Sequence, residues 1–327
     1  MPISCSVSAV IALYNPDPVF LKMAVASVLG QVYPVLELVL VNDGGETSVI
    51  ESVLPNDNRI KLYSKPNGGV ADARNYALQK CSGDYIAFLD QDDYWYPDKI
   101  GDLLALIPEP GMPCMVVSPV DIVDDSGRID TKNTSRALKT YRIKSSSGNL
   151  LRGLVSDNFI HSSVPLVQRS IFEALGGFDT NVQPHDDWDM YLRIAVAGCP
   201  VFFADRPLSV WRTHGKNESG NVALMQRSMC RVYRKNLSEI RDMSSRRLFL
   251  LCGILTAMNR AGTLLYKRGR YGLYRKHVGR QMTMALRNLP SLNGADASLL
   301  LWEFRNVTIP LIKSIRRYLV SLVRHSK

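Results

Sequence analysis

Three aspartates, Asp90, Asp92 and Asp93, follow directly on the apolar run Ile86-Ala-Phe-Leu89 and precede Tyr94-Trp-Tyr-Pro97. The run is too short for a helix and reads as a buried strand emptying into an acidic turn, with Pro97 opening the next helix. Carboxylates crowded at a strand's C-terminal end repel one another unless a cation neutralises them. Hard divalent ions such as Mg²⁺ or Mn²⁺ take oxygen ligands and bridge carboxylates to substrate phosphates. Asp92 is the expected metal ligand, and Asp90 is expected to share the metal or face a ribose. Asp98 suits the first turn of the helix after Pro97.

Further groups could join that chemistry. Asn67-Gly68-Gly69 precedes Ala73-Arg74-Asn75; glycines let backbone N–H groups approach a ligand, and a helix N-terminus favours anions. Arg74 would then reach a phosphate or base, or else sit on a helix surface. Asp43, ahead of Gly44-Gly45, would accept hydrogen bonds from a base or ribose, or simply form an Asp-Gly turn. His185-Asp186-Asp187-Trp188-Asp189 is another acidic cluster. A helix starting near Pro184 needs one of these carboxylates as its N-cap, not three. A base that removes a hydroxyl proton needs one pointing into the site, a role given to Asp187. His214, just after an apolar segment, is placed as a phosphate or metal contact.

The elements that must position these residues follow from pattern. Residues 6–13, 36–41, 59–63 and 85–89 read as strands. Between them lie a helix with Asp17 as N-cap and Pro18 at its first position, and a helix carrying Ala71, Ala73, Arg74 and Ala77. Strands alternating with helices imply a doubly wound, mostly parallel α/β sheet, whose ligands bind outside the strands' carboxyl ends. Tyr14, Asp43, Asn67 and Asp90 all fall at such ends. Further on, residues 115–119 read as a strand, 121–147 as an irregular polar insertion, 170–175 and 186–197 as helices, and 200–204 as the final strand.

Charge divides the chain more sharply than length does. Residues 1–220 carry 19 Lys/Arg against 26 Asp/Glu, a net −7; residues 221–327 carry the rest, a net +17. The first part is expected to be the catalytic domain and the second a basic amphipathic helical region. In that region Leu248, Leu251, Leu255 and Met258, then Leu311, Ile315, Leu319 and Leu322, recur at helical spacing. Such helices lie on anionic membrane surfaces, pack on a neighbouring domain, or join two copies as a homo-oligomer. The six cysteines form no Cys-x-x-Cys pair, and no basic n-region with an apolar stretch opens the chain. The longest apolar run, 248–258, is too short to span a bilayer, which takes about 20 residues. A cytoplasmic protein, peripheral on the inner membrane face if the tail binds lipid, is expected.

The motifs, taken in order, resemble glycosyltransferase family 2, the inverting enzymes of the GT-A fold, of the kind that builds bacterial cell-surface polysaccharide or lipopolysaccharide. Val10-Ile-Ala-Leu-Tyr-Asn15 is similar to the family's first strand and donor loop, and so implies donor contacts at Ala12 and Tyr14. Val41-Asn-Asp-Gly-Gly45 resembles its Asp-Asp-Gly-Ser turn, with Asn42 in place of the first aspartate. Gly68-Gly-Val-Ala-Asp-Ala-Arg-Asn75 and Phe88-Leu-Asp-Gln-Asp-Asp93 resemble its Ala-Arg-Asn helix and Asp-x-Asp motif. Gly177-Phe-Asp179 and Asp186-Asp-Trp-Asp189 resemble its acceptor and Glu-Asp motifs, which puts Asp179, Asp186 and Trp188 on the acceptor side and Asp187 at the base position.

The resemblance implies sugar transfer from a nucleotide-diphosphate donor, expected to be a UDP-sugar, to a hydroxyl of a glycan or lipid-linked acceptor, with Mn²⁺ or Mg²⁺ as cofactor. Two rivals stand beside it. A silent nucleotide-binding module would tolerate loss of Asp92 or Asp187, and both are present. Nucleic-acid binding through the tail would need aromatic platforms among the basic residues; only Tyr271 and Tyr274 offer them, so no nucleic acid is expected.

Overall fold

The structure is a computed structural model and describes residues 5–145, 150–155, 158–215, 217–237 and 239–241. In chain order the first elements are β1 (Val7–Leu13), α1 (Pro18–Leu29), β2 (Glu37–Asp43), α2 (Thr47–Glu51), β3 (Ile60–Lys65), α3 (Val70–Leu78) and β4 (Tyr85–Phe88). There follow β5 (Tyr94–Trp95), α4 (Lys99–Ala105), β6 (Met115–Val117), β7 (Val120–Val123), α5 (Thr131–Ser145) and α6 (Leu150–Leu154). The last are β8 (Leu166–Gln168), α7 (Arg169–Leu175), α8 (Asp186–Val196), β9 (Val201–Phe203), β10 (Ser209–Arg212) and α9 (Val222–Asn236).

A seven-stranded sheet runs in the order β3-β2-β1-β4-β8-β6-β9. β1, β2, β3 and β4 are mutually parallel, as are β6 and β9, while β8 runs antiparallel between β4 and β6. The sheet is therefore mixed but mostly parallel. Every residue of β2 is buried, as expected of a strand covered on both faces. Leu21, Ala24, Val25 and Val28 turn the apolar stripe of α1 onto the core shared by β1 and β2. Its start is set locally: Asp17 Oδ1 accepts from the Val19 and Phe20 amides ahead of that stripe, and Pro18 supplies a preset φ.

A smaller three-stranded sheet, β5-β10-β7, stands apart from the main one. It overturns two expectations. Residues 121–147 are not irregular but contribute β7 and the 15-residue α5, and β9 is not the last strand, since β10 follows it. Asp98 also departs from expectation. It precedes α4 without capping it and instead accepts from Arg206.

The end of the sheet away from the acidic turn is closed by Glu37, 1% exposed. Its carboxylate accepts from Ser8 Oγ, from Ser82 N and Oγ, and from Lys61 Nζ. Burial alone would raise that carboxyl; the lysine and serine donors outweigh it and bring it down to about 2.

The chain divides into two compact units, Met1–Leu150 with Asn158–Asn221, and Leu151–Asp157 with Val222–Lys327. Within the second, α9 is a 15-residue helix; the apolar repeats at 248–258 and 311–322 lie outside the described residues. No helix of the described residues is long and apolar enough to cross a membrane.

Candidate active site

The parallel order puts the C-terminal ends of β2, β1 and β4 side by side, and the acidic turn leaves the last of these. Asp93 N donates to Asp90 O at 3.2 Å, which tightens the turn. Asp93 itself is 1% exposed, and both its oxygens are taken, Oδ2 by Ser163 Oγ at 2.6 Å and Oδ1 by Arg212 N at 2.9 Å. Burial and the neighbouring Asp92 and Asp90 charges push its carboxyl well above the usual range. Asp93 therefore fastens the turn to β10 rather than facing a ligand.

Asp92 is the more accessible of the two. Its Oδ2 lies 2.8 Å from His214 Nε2, a contact between residues 122 positions apart. The His214 ring stacks on Phe20 of α1 at 5.5 Å, and the Asp92 main chain is pinned by Arg212 Nε at 3.2 Å. Burial, then the Asp90 charge, raises the Asp92 carboxyl, and the His214 contact only partly offsets them. The two groups are hydrogen-bonded to each other; their oxygen and nitrogen are ligand types that Mn²⁺ accepts, the carboxylate suiting Mg²⁺ as well.

A second set of ligating groups, Asp90, Asp93 and His161, has its ligand atoms within 4.8 Å of one another. Internal partners fill it. Asp90 accepts from Arg74 Nη2 at 2.9 Å and from Ser162 Oγ, and His161 Nδ1 accepts from Ser163 N at 3.3 Å. The His161 ring lies against Trp211 at 4.9 Å, and burial brings its imidazole down to about 4.

Arg74 is not free to reach a phosphate. It is 5% exposed, lies 5.8 Å and 5.6 Å from the rings of Phe88 and Phe178, and spends its guanidinium on Asp90 Oδ1 and Asp186 Oδ2. Burial opposes its charge, but the Asp186 and Asp90 carboxylates outweigh burial and hold it protonated. At Asp90 burial likewise acts upward, and the Arg74 charge prevails to lower its carboxyl. One buried cation thus ties the acidic turn to the start of α8.

None of the three aspartates on α8 caps it; His185 occupies the N-cap and makes no side-chain cap bond. Asp186 is wholly buried against Arg74, and burial raises its carboxyl. Asp189 is wholly buried against Arg193, which also holds the Leu175 and Gly177 carbonyls. Only Asp187 is half-buried. Its Oδ1 accepts from Trp188 N at 2.6 Å and its Oδ2 from Asn158 Nδ2 at 2.9 Å. Burial, then the Asp186 charge, pushes its carboxyl up to about 7, a value suited to a general base near neutral pH.

Two acceptor-side expectations, for Asp186 and Trp188, are corrected, since both are fully buried. Trp188 is fully buried, edge-on to His185 at 5.7 Å, and cannot touch an acceptor. Asp179 accepts from Asn181 N and Nδ2, both at 2.9 Å, and so caps a short 3₁₀ turn.

The donor-side residues meet around the Asn67 loop. Asp43, 3% exposed, accepts from Gly68 N at 3.0 Å, Gly69 N at 2.7 Å and Lys65 Nζ at 2.7 Å, while Asn67 Nδ2 donates to its main-chain carbonyl. Gly69 has φ 88°, and a Cβ there would collide with the Gln183 amide, whose oxygen accepts from Ala71 N at the mouth of α3. Asn42 does the work of a turn residue. Its Oδ1 accepts from Gly45 N at 2.8 Å and its Nδ2 donates to Gly45 O and Thr47 Oγ1, roles an aspartate could not fill on the donor side. Ala12 is half-buried in β1, and Tyr14 is 53% exposed beyond it. Gln91, which pattern did not single out, clamps the Tyr14 backbone by its N–H at 2.9 Å and its carbonyl at 3.2 Å. Asn158, Ser162 and Ser163 were also missed; they lie outside any periodic segment, and no signal in the chain marks them.

The arrangement can hold a cation at one end and take a proton at the other, with Arg74 joining the two. Uncharacterized glycosyltransferases of Rickettsia felis and Rickettsia conorii are each 27% identical over 223 residues, or 66% of this chain. The chain spans only about a third of those relatives' length, 36% and 35%. An uncharacterized glycosyltransferase of Haemophilus influenzae is 39% identical over 98 residues, 29% of this chain and 39% of its own.

Among solved structures, Staphylococcus aureus TarS 1-349 in complex with UDP-GlcNAc superposes with a TM-score of 0.61 at 16% identity, over 98% of this chain and 89% of that one. The Pyrobaculum calidifontis mannosyltransferase PcManGT in complex with GDP-Man and Mn²⁺ gives 0.55 at 18%, over 91% and 88%. At such identities these likenesses show the fold, the GT-A arrangement of a mostly parallel mixed sheet. The Glycosyl transferase family 2 model matches residues 8–176, more than half of the 327, and the chain belongs to that family.

Proposed function

We propose that this glycosyltransferase moves a sugar, with inversion, from a nucleoside-diphosphate donor to a hydroxyl of a glycan or lipid-linked acceptor in cell-surface glycan synthesis. The observation that carries the reading is Asp187. It is the one carboxylate of the α8 cluster that stands half-exposed, and its carboxyl is raised to about 7. As the acceptor oxygen attacks the anomeric carbon, Asp187 takes its proton. The new glycosidic C–O bond forms while the bond to the diphosphate breaks, and the diphosphate keeps the electron pair. Attack from the face opposite the leaving group inverts the centre.

A divalent cation held by Asp92 and His214 would offset charge on the departing diphosphate. Asp43, Asn67 and the Gly68-Gly69 amides shape the donor side, and Tyr14 is open to stack on a base or sugar. The donor is proposed to be a UDP-sugar, which TarS supports by its UDP-GlcNAc complex; the PcManGT complex with GDP-Man and Mn²⁺ supports the cation and keeps GDP-sugars in the test. The net +17 of residues 221–327 supports attachment to an anionic membrane surface.

A panel of UDP-, GDP- and dTDP-sugars, titrated by calorimetry with and without Mn²⁺, tests the reading. Micromolar, cation-dependent binding of a UDP-sugar, followed by its slow hydrolysis, is expected. Binding of no nucleotide sugar under either condition would overturn it.

A further inference from the structure

Asp187 is a half-buried carboxylate in the first turn of α8, and both its oxygens have partners. Its Oδ1 is held by the backbone N–H of Trp188, and its Oδ2 by Asn158 Nδ2 at 2.9 Å. Arg74, whose charge also acts on Asp187, spends its guanidinium on Asp90 and Asp186. Among the described residues, Asn158 is thus the side chain that hydrogen-bonds Asp187.

The amide of Asn158 is itself oriented. Its Oδ1 accepts from Ile160 N at 3.3 Å, which leaves Nδ2, and only donors, turned toward Asp187. Asn158 is half-buried, so the bond is sheltered from competing water.

We propose that Asn158 is a positioning residue for the base: it holds the Asp187 carboxylate in one rotamer and favours its ionised form over its protonated one. The inference deepens the reading of Asp187 as the base and rests on it. A donor bonded to a carboxylate stabilises the charge. It works here against burial and the Asp186 charge, which push the carboxyl up, and beside the Arg74 charge, which pulls it down. Tyr191, whose phenol burial and then the Asp187 charge raise, stays neutral. With Asn158 removed, those upward influences lose one of the few that oppose them. The base would be protonated at neutral pH and free to turn away from the acceptor.

The first readout of the test uses the full chain labelled with ¹³Cγ-aspartate and needs neither donor nor acceptor. Carboxyl resonances are titrated by NMR, and Asp187 is identified by the peak lost in Asp187→Asn. In Asn158→Ala the Asp187 midpoint is expected to rise by about one pH unit. In the isosteric Asn158→Asp, which replaces a donor by a second charge, it is expected to rise further. Hydrolysis of the nucleotide sugar selected by the binding panel should fall about tenfold near neutral pH in Asn158→Ala and recover in alkaline buffer.

An unmoved midpoint in a folded variant overturns the inference, as does a loss of rate equal at all pH values. If neither variant folds, Asn158 is structural and the inference falls. A dead Asp187→Asn alongside any of these leaves the base reading standing; an Asp187→Asn of full activity sinks both.

Discussion

Asp187→Asn is expected to lose sugar transfer by about 10²–10⁴-fold, the span that general-base assistance contributes, or about 3–5 kcal/mol of transition-state stabilisation. Donor affinity is expected to hold, because the carboxylate acts on the acceptor and lies at the α8 end of the site. The substitution keeps volume and an oxygen for the Trp188 amide, so the helix start survives. Wild-type turnover should also fall as pH drops through about 7, where the Asp187 carboxyl takes up its proton; the residual activity of Asp187→Asn should lack that limb. Steady-state rates and calorimetric donor titrations, measured side by side, check the prediction. Collapse of donor binding would place Asp187 on the nucleotide side. Asp186→Asn and Asp189→Asn are expected to act differently, through stability. Each leaves an arginine, the buried Arg74 or the half-buried Arg193, short of its partner, a loss of up to about 3–5 kcal/mol for a broken buried pair.

Asp92→Asn is expected to reduce turnover about 10³-fold or more, since a cation's stabilisation of a leaving diphosphate is worth several kcal/mol. The neutral amide can still hydrogen-bond His214, so the fold and its melting point should change little. The chain's own affinity for Mn²⁺ should fall at the same time, and Mn²⁺ titration of the donor-free protein, followed by electron paramagnetic resonance, reads that directly. Full activity of the variant, or undiminished wild-type activity after exhaustive chelation, would move the cation elsewhere. Asp90, Asp93 and His161 are the next set to examine.

What sequence made legible was local. The start of α1 could be read because Asp17, Pro18 and the apolar stripe that follows all state the same thing within a few residues. The strands β1, β2 and β4 were legible as apolar runs and β3 as a short mixed one, with the acidic turn marking the abrupt end of β4. What escaped depended on distance. Arg74 suggested a phosphate contact because its partner Asp186 lies 112 positions away. Asp93 drew no role because Ser163 and Arg212, which take both its oxygens, lie 70 and 119 positions off. The helix α5 hid behind its polarity: Thr134, Tyr141 and Lys144 are its buried residues, and two of the three are polar. The antiparallel entry of β8 between β4 and β6 leaves no trace in alternation, since pairing direction is set by the chain's path rather than by a strand's own residues.

The chemistry at the anomeric carbon tests the account most directly. The α-linked nucleotide sugar selected by the binding panel is turned over with Mn²⁺, and the anomeric proton of the first-formed product is read by ¹H NMR before mutarotation. A base on the face opposite the diphosphate predicts the β-anomer. Accumulation of the α-anomer from the start would mean that configuration is retained, and Asp187 could not then act as the base in a single inverting displacement.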